Sequence, residues 1–451
     1  MRNIRMGFVC FGEVNTPMEV IVRKRDEALA ALRAEALELL DGGVVTDDPG
    51  YHDADAAIAR LRGREMDLLV VCVAGWIPSH AVIRVTDAFR HLPMVLWGLC
   101  GWMENGRIVT TADQAGTTAL RPAFEAMGYR FRYVYSVMGR PLPVDQILSY
   151  ARAARAAALL REARVGTMGY RDMLLYGTQF EGNSLRSRLG VEVEPFEMLE
   201  MVQRADALDP AVVAEKVRYM KQNWVFQKPC DDAILEQGTR YALAVGQKIA
   251  ERGWDAVTLV DVDGMKKLLG FPPAMVFMLL DDLFGVQTVP ENDIMGAVTQ
   301  LMVHYLTGQT AAYLEFYEFF DDSVLIGVPD FVPKAVTDGD VTVLPTAFGL
   351  LSASLLNVSK VKTGRVTLAR LVFKEGQYFL HLLTGEAVTP PAWEECGWLP
   401  PAPQLPSLQV KLDCPVEEFA EKVSSQHIIV CYGDETDALR QLAAQLGIAL
   451  L

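Results

Sequence analysis

Apolar positions along the chain fall into two alternating patterns. Short unbroken apolar runs, at 4–11 (IRMGFVCF), 66–74 (MDLLVVCVA) and 93–99 (PMVLWGL), have the length of buried strands. Between them lie stretches with helical spacing, the first over 18–40, rich in Ala, Leu, Arg and Glu. Buried strands alternating with helices predict βαβ units around a mostly parallel sheet. This first set ends near residue 150, where the alanine-rich segment 151–160 predicts a linking helix. A second set follows, with strands predicted at 164–170 and 174–180 and helices at 187–203, 209–223 and 231–252. It continues with a strand at 256–262, a helix at 272–285, a strand at 286–290 and a helix at 295–308. After about residue 335 the runs alternate and are broken by Gly and Asp, as in DVTVLPTA, GRVTLARLVF and QYFLHLLTG, which predicts antiparallel strands. A proline-rich stretch at 390–406 predicts a surface loop, and the chain closes with a strand at 427–433 and a helix at 436–447.

With 451 residues, a division into several domains is expected. No apolar run is long enough for a membrane span, and the N-terminus lacks a signal-peptide pattern. The formal net charge is −15, which repels phosphate backbones and anionic lipid, so nucleic acid and membrane are not the expected partners. The seven cysteines are dispersed, at 10, 72, 100, 230, 396, 414 and 431, and form no CxxC pair. That usage suits a reducing, cytoplasmic setting. Templates for dinucleotide binding, nucleotide hydrolysis, zinc proteolysis and serine hydrolysis are all missing.

Candidate chemistry collects where predicted strands end. The strand 256–262 runs into Asp261-Val262-Asp263-Gly264, and the strand 286–290 runs into Glu291-Asn292-Asp293. Ligands of open α/β sheets gather at the carboxyl ends of strands, and clustered carboxylates are commonly neutralised by a divalent cation. The plainer roles are a helix cap for Asp293 and a turn for Asp263. His427, at the start of the last strand, is the imidazole that would complete a mixed site suited to Mn²⁺ or a similar ion. His304 and His381 are spaced as structural residues, and His52, His80 and His91 carry no motif. Glu181, after Tyr176-Gly177-Thr178-Gln179-Phe180, faces the same cleft or forms an ordinary turn.

At these residues the chain resembles the L-fucose/L-arabinose isomerase superfamily, on the fucose isomerase side. The resemblance is carried by VPENDIMGAVTQLMVHYLTGQ (289–309), QHIIVCYGDETDALRQLAAQLGI (426–448) and RVGTMGYRDMLLYGTQFE (164–181), with weaker matches at VAGWIPSH (73–80) and TTADQAG (110–116). It implies two Rossmann-like α/β domains with parallel sheets, followed by an antiparallel β-barrel, divided as 1–152, 153–335 and 336–451. It implies metal-dependent interconversion of an aldose and a ketose through a cis-enediol, with Mn²⁺ held by two acids and a histidine. By position, Asp263 and Asp293 are the expected acidic ligands and acid–base pair, and His427 the histidine ligand. Trp76 resembles a tryptophan lent to the sugar by a neighbouring subunit, which implies a homo-oligomer, a trimer or hexamer, with the site at an interface. Glu181, Asp261, Glu291, Asn292 and Gln426 complete the expected substrate contacts. Departures from the family pattern lie at Ile326-Gly327-Val328-Pro329-Asp330 and at Gln426, where relatives often carry asparagine. They leave open two alternatives: a sugar-binding protein without catalysis, and an isomerase for a substituted hexose such as a sulfonated one.

Overall fold

A computed structural model of the chain describes residues 2–329, 331–346, 354–391 and 405–451. The chain divides into two compact units, Met1–Ala158 and Leu159–Leu451. The division falls inside the helix Val144–Glu162. The proline-rich stretch expected to loop at 390–406 lies outside the described residues except at its ends.

The first unit is built on five parallel strands. In chain order these are β1 (Ile4–Phe11), β2 (Leu37–Val45), β3 (Leu68–Val73) and β4 (Met94–Gly98), then, after a small hairpin of β5 (Trp102–Glu104) and β6 (Arg107–Val109), β7 (Phe131–Tyr135). They pair in the order β2-β1-β3-β4-β7. Strands β1, β3 and β4 are apolar at nearly every position because helices cover both faces of the sheet. Two apolar cores result, one on each face. The helix expected over 18–40 stops at Arg33, and the rest of that stretch is β2. The shift in spacing at Leu37, Leu39 and Leu40 is the local cause, since pairing with β1 satisfies an edge that a longer helix would leave bare.

The second unit opens with a four-stranded parallel sheet. Its members are β8 (Arg164–Met168), β9 (Glu192–Phe196), β11 (Ala256–Leu259) and β12 (Gln287–Val289), in the order β12-β11-β8-β9, with β10 (Val225–Phe226) lying elsewhere. The segment 174–180, expected as a strand, instead forms two short 3-10 turns, Asp172–Leu174 and Tyr176–Thr178. Asp172 explains this: its buried carboxylate accepts the backbone N–H of Val262 and Asp263, at 3.0 and 2.8 Å, which ties the loop across the sheet end. The helix expected over 187–203 is broken, with a π-turn at Leu185–Leu189, then β9, then a helix at Met198–Asp206. The expected helices at 231–252 and 295–308 are present as Asp232–Arg252 and Ile294–Thr307.

A closed antiparallel barrel follows. Its strands are β13 (Ala312–Phe319), β14 (Ser323–Gly327), then, past β15 (Thr342–Pro345) and β16 (Leu355–Asn357), β17 (Gly364–Lys374), β18 (Gln377–Val388), β19 (Ser407–Leu412) and β20 (His427–Tyr432). They run β17-β20-β13-β14-β19-β18, and β18 pairs back onto β17 to close the ring. The last short strand, β21 (Ala449–Leu450), adds to β18. β10, β15 and β16 form a separate small sheet. The barrel interior is an aliphatic core that includes Leu314, Val324, Leu368, Val410 and Val430. The helix Ile294–Thr307 is apolar on all sides and buried, as expected of a helix enclosed by packed elements. The architecture is therefore mixed α/β, with two parallel sheets and a six-stranded antiparallel barrel near the C-terminus. Among the described residues no helix is long and apolar enough to cross a membrane.

Candidate metal centre

Two structural devices bring three ligand-type side chains together. The first is strand register. On neighbouring barrel strands Glu315 of β13 lies directly opposite His427 of β20, so both side chains leave the same face. The second is the end of the parallel sheet. Glu291 follows β12 at the carboxyl edge, in the left-handed conformation, φ 61°, and Asn292 after it has φ 54°. Such backbone is costly for residues other than glycine and clusters at functional sites. Together they bring one atom each of Glu291, Glu315 and His427 to within 4.8 Å of one another. His427 Nε2 lies 3.3 Å from Glu291 and 3.4 Å from Glu315.

The electrostatics of this group point one way. Burial alone would lower the imidazole of His427, but Glu291 and Glu315 outweigh it and hold it up at about 9. Burial pushes the Glu291 carboxyl above its ordinary value, only partly offset by His427. Both groups are drawn toward their protonated forms, so the site demands positive charge. Two carboxylates and one imidazole are a donor set suited to Mn²⁺ or a similar divalent ion. The residues present therefore fit a metal. His427 is held by a ring stack on Tyr313, with centroids 4.4 Å apart, while its buried Nδ1 has no hydrogen-bond partner among the described residues. Gln426 donates to Glu291 at 3.5 Å and contacts His427 Nε2 at 3.3 Å. A cavity of about 270 Å³ opens on the group. Asp261, Lys266, Glu291, Glu315 and Gln426 line its polar side, and Pro272, Pro273 and Leu356 its apolar side.

The expected acidic pair stands outside this group. Asp293 is fully buried, but its carboxylate is taken by Arg370, at 2.5 and 3.0 Å, by the hydroxyl of Tyr313 at 2.9 Å and by the N–H of Gly296 at 2.9 Å. Burial would raise that carboxyl; the Arg370 guanidinium outweighs it and holds it below the ordinary range. Its role here is a helix cap and a buried ion pair behind the imidazole. Asp263 forms an ion pair with Lys267 one helical turn on, at 2.7 Å. Asp261 is buried and lines the cavity. Glu181 caps the turn after it, accepting from the N–H groups of Asn183 and Ser184. Asn292 donates to the carbonyl of Tyr170 at 2.6 Å and accepts from Thr167. In the first unit Trp76 is 40% exposed just past β3, its backbone fixed by Thr111 and Glu13.

Two residues at the heart of the site were not legible beforehand. Glu315 sits mid-strand in AYLEFYEF, where only an acid interrupting an apolar strand could have flagged it. Arg370, 1% exposed, lies within VTLARLVF and is silent until the fold gives it a partner.

Comparison with known proteins gives the following similarities. Residues 352–451 match the model of the L-fucose isomerase C-terminal domain. An L-fucose isomerase of Escherichia coli (strain SMS-3-5 / SECEC) is 22% identical over 343 residues, 66% of this chain and 57% of that protein. One from Streptococcus pneumoniae (strain P1031) is 25% identical over 194 residues, 41% of this chain and 31% of that protein. The chain is thus similar to L-fucose isomerases, and its last hundred residues match their C-terminal domain. In these matches it spans less than two thirds of the length of either L-fucose isomerase.

Proposed function

We propose that the chain is a metal-dependent aldose–ketose isomerase acting on a monosaccharide through a cis-enediol. The observation that carries this reading is the buried Glu291–Glu315–His427 group opening on a sugar-sized cavity. The similarity to L-fucose isomerases supports the reaction class. Glu291, Glu315 and His427 would hold the ion. When bound, a divalent ion such as Mn²⁺ supplies Lewis acidity to adjacent sugar oxygens.

The chain's own residues account for the proton movements. Isomerisation breaks the C2–H bond, protonates O1 to give the enediol, removes the proton on O2 and returns a proton to C1. A carboxylate beside the substrate takes and returns the carbon-bound proton, and a second acid serves the oxygens. Glu291 and Glu315, which meet across the imidazole, are assigned to this pair. Gln426 orients Glu291 and offers its amide to a hydroxyl. The apolar wall of Pro272, Pro273 and Leu356 faces the carbon side of the sugar and excludes water. We further propose that the chain works as a cytoplasmic homo-oligomer in which a neighbour's Trp76 covers the sugar; its six described cysteines are free thiols, which suits a reducing compartment.

The test is a screen of aldoses with added Mn²⁺, read as ketose formation. The reading requires turnover of at least one aldose, lost on thorough chelation and restored by Mn²⁺. Turnover that survives chelation rejects the metal, and no turnover of any aldose rejects the isomerase.

A further inference from the structure

A second cavity, of about 710 Å³, lies at the carboxyl end of β8, from Thr167 to Arg171, and along β9 from Val191 to Pro195, with Asn292 and Ile294 beyond β12 also in its wall. Its place is that of a ligand site. In the order β12-β11-β8-β9 the sheet grows first to one side of β8 and then to the other, and open α/β sheets bind ligands at the carboxyl ends near such a reversal. Its volume is in the range of small-molecule sites.

The lining has its own chemistry. Arg171 lies over the ring of Tyr176, 4.6 Å from its centroid, and among the described residues it forms no ion pair. Arg186 is paired with Glu192 at 3.3 Å. The lining thus carries two arginines against one carboxylate, a local positive excess in a chain of net charge −15. Gln179 and Asn183 line the cavity with side-chain amides that the described residues leave unengaged. Tyr170 and Phe180 stand at the wall with 55% and 38% of their surface exposed, apolar faces ready to meet a ring. The cavity with the metal group carries instead three carboxylates, Asp261, Glu291 and Glu315, against one cation, Lys266, an excess that repels an anion unless a further cation is bound.

We propose that the cavity at β8 and β9 is a second ligand site, for a phosphate monoester carried on a ring: a sugar phosphate or a nucleoside monophosphate. Arg171 binds the phosphate through its planar fork of donors. Tyr170 and Phe180 pack on the ring, and Gln179 and Asn183 bond its hydroxyls. This site does not depend on the isomerase reading. Two of its wall residues, Asn292 and Ile294, lie just past Glu291 of the metal group.

The test is calorimetric titration of the full chain with glucose 6-phosphate, adenosine monophosphate, inorganic phosphate and glucose. The proposal expects saturable binding of at least one ring phosphate, at least tenfold tighter than inorganic phosphate, and this separates the sugar from the nucleotide source. Arg171→Leu should weaken it tenfold or more, and Phe180→Ala, at an exposed position, should shrink the advantage over inorganic phosphate. Glu315→Gln should leave it unchanged. The proposal is overturned if no phosphate binds, if inorganic phosphate binds as tightly as the ring phosphates, or if Arg171→Leu and Phe180→Ala bind like the parent. Loss in Glu315→Gln with retention in Arg171→Leu also overturns it, by moving the ligand to the metal group.

Discussion

Arg370→Leu should unfold the second unit at a much lower temperature. Arg370 and Asp293 are both buried, with 1% and 0% of their side chains exposed, and meet through two hydrogen bonds. Arg370 also donates to the carbonyl of Gly177 at 3.2 Å. Taking two charges out of water offsets most of their attraction, so the intact pair contributes little net stability. Removing one partner is different, because Asp293 would remain as an uncompensated buried carboxylate. That costs about 3–5 kcal/mol. For a domain of this class each kcal/mol lowers Tm by roughly 2–4 °C, so a fall of at least about 6 °C is expected by calorimetry. The double variant Arg370→Leu/Asp293→Asn removes the stranded charge, while the carbonyl of the new side-chain amide can still accept from Gly296. It should recover more than half of the loss. A fall under about 2 °C, or a double variant no more stable than the single, would refute the reasoning that charge desolvation dominates here.

The remaining predictions concern the metal, pH and packing. Glu315→Gln should weaken Mn²⁺ binding at least tenfold, measured by titration, and leave thermal stability without metal within about 1 kcal/mol, since it removes a half-buried charge from a crowded pair of acids. His381 is buried against Phe419 near two lysines, and burial holds its imidazole down at about 4. Between pH 6.5 and 4 the unfolded chain therefore binds a proton that the folded chain does not. Stability should fall as pH falls through that window, by about 3 kcal/mol in all, and His381→Phe should flatten the urea-midpoint profile there. Asp281 has the opposite sign: burial, then its neighbour Asp282, raise its carboxyl to about 6. Its ionisation costs stability as pH rises from 4 to 6, so Asp281→Asn should gain about 1–3 kcal/mol at pH 8 and almost nothing at pH 4. A methyl added at Gly166 of β8 would lie within 2.1–2.4 Å of the Trp254 ring. Gly166→Ala should therefore destabilise by about 1–3 kcal/mol in urea, and an unchanged midpoint would mean that the ring moves freely.

The sequence is most legible where one period holds over a long segment. β1, β3 and β4, and the helix Ile294–Thr307, follow from unbroken apolar runs, because burial on both faces or all round leaves no other arrangement, and the helix Asp232–Arg252 follows from its apolar stripe. It is least legible where a side chain from elsewhere decides the backbone. Asp172 turns 172–178 into short 3-10 segments by bonding N–H groups some 90 residues away. The site shows the same division. His427 and the Glu291-Asn292-Asp293 segment stand out as polar residues at strand ends. The choice among the three acids depends on Arg370, which takes Asp293, and on the register that sets Glu315 opposite His427. Neither is a local property of the chain. The two facing residues are 112 positions apart, and pairing of that range is specified by the closed barrel.

The most direct test of the central claim is the Mn²⁺ content and affinity of the full chain, compared among the parent, Glu291→Gln/Glu315→Gln and Asp263→Asn. The account predicts about one tightly held ion per chain in the parent and in Asp263→Asn, and loss of that ion in the double variant. An ion retained with parental affinity after both glutamates are neutralised, or one lost on changing Asp263 alone, would contradict it.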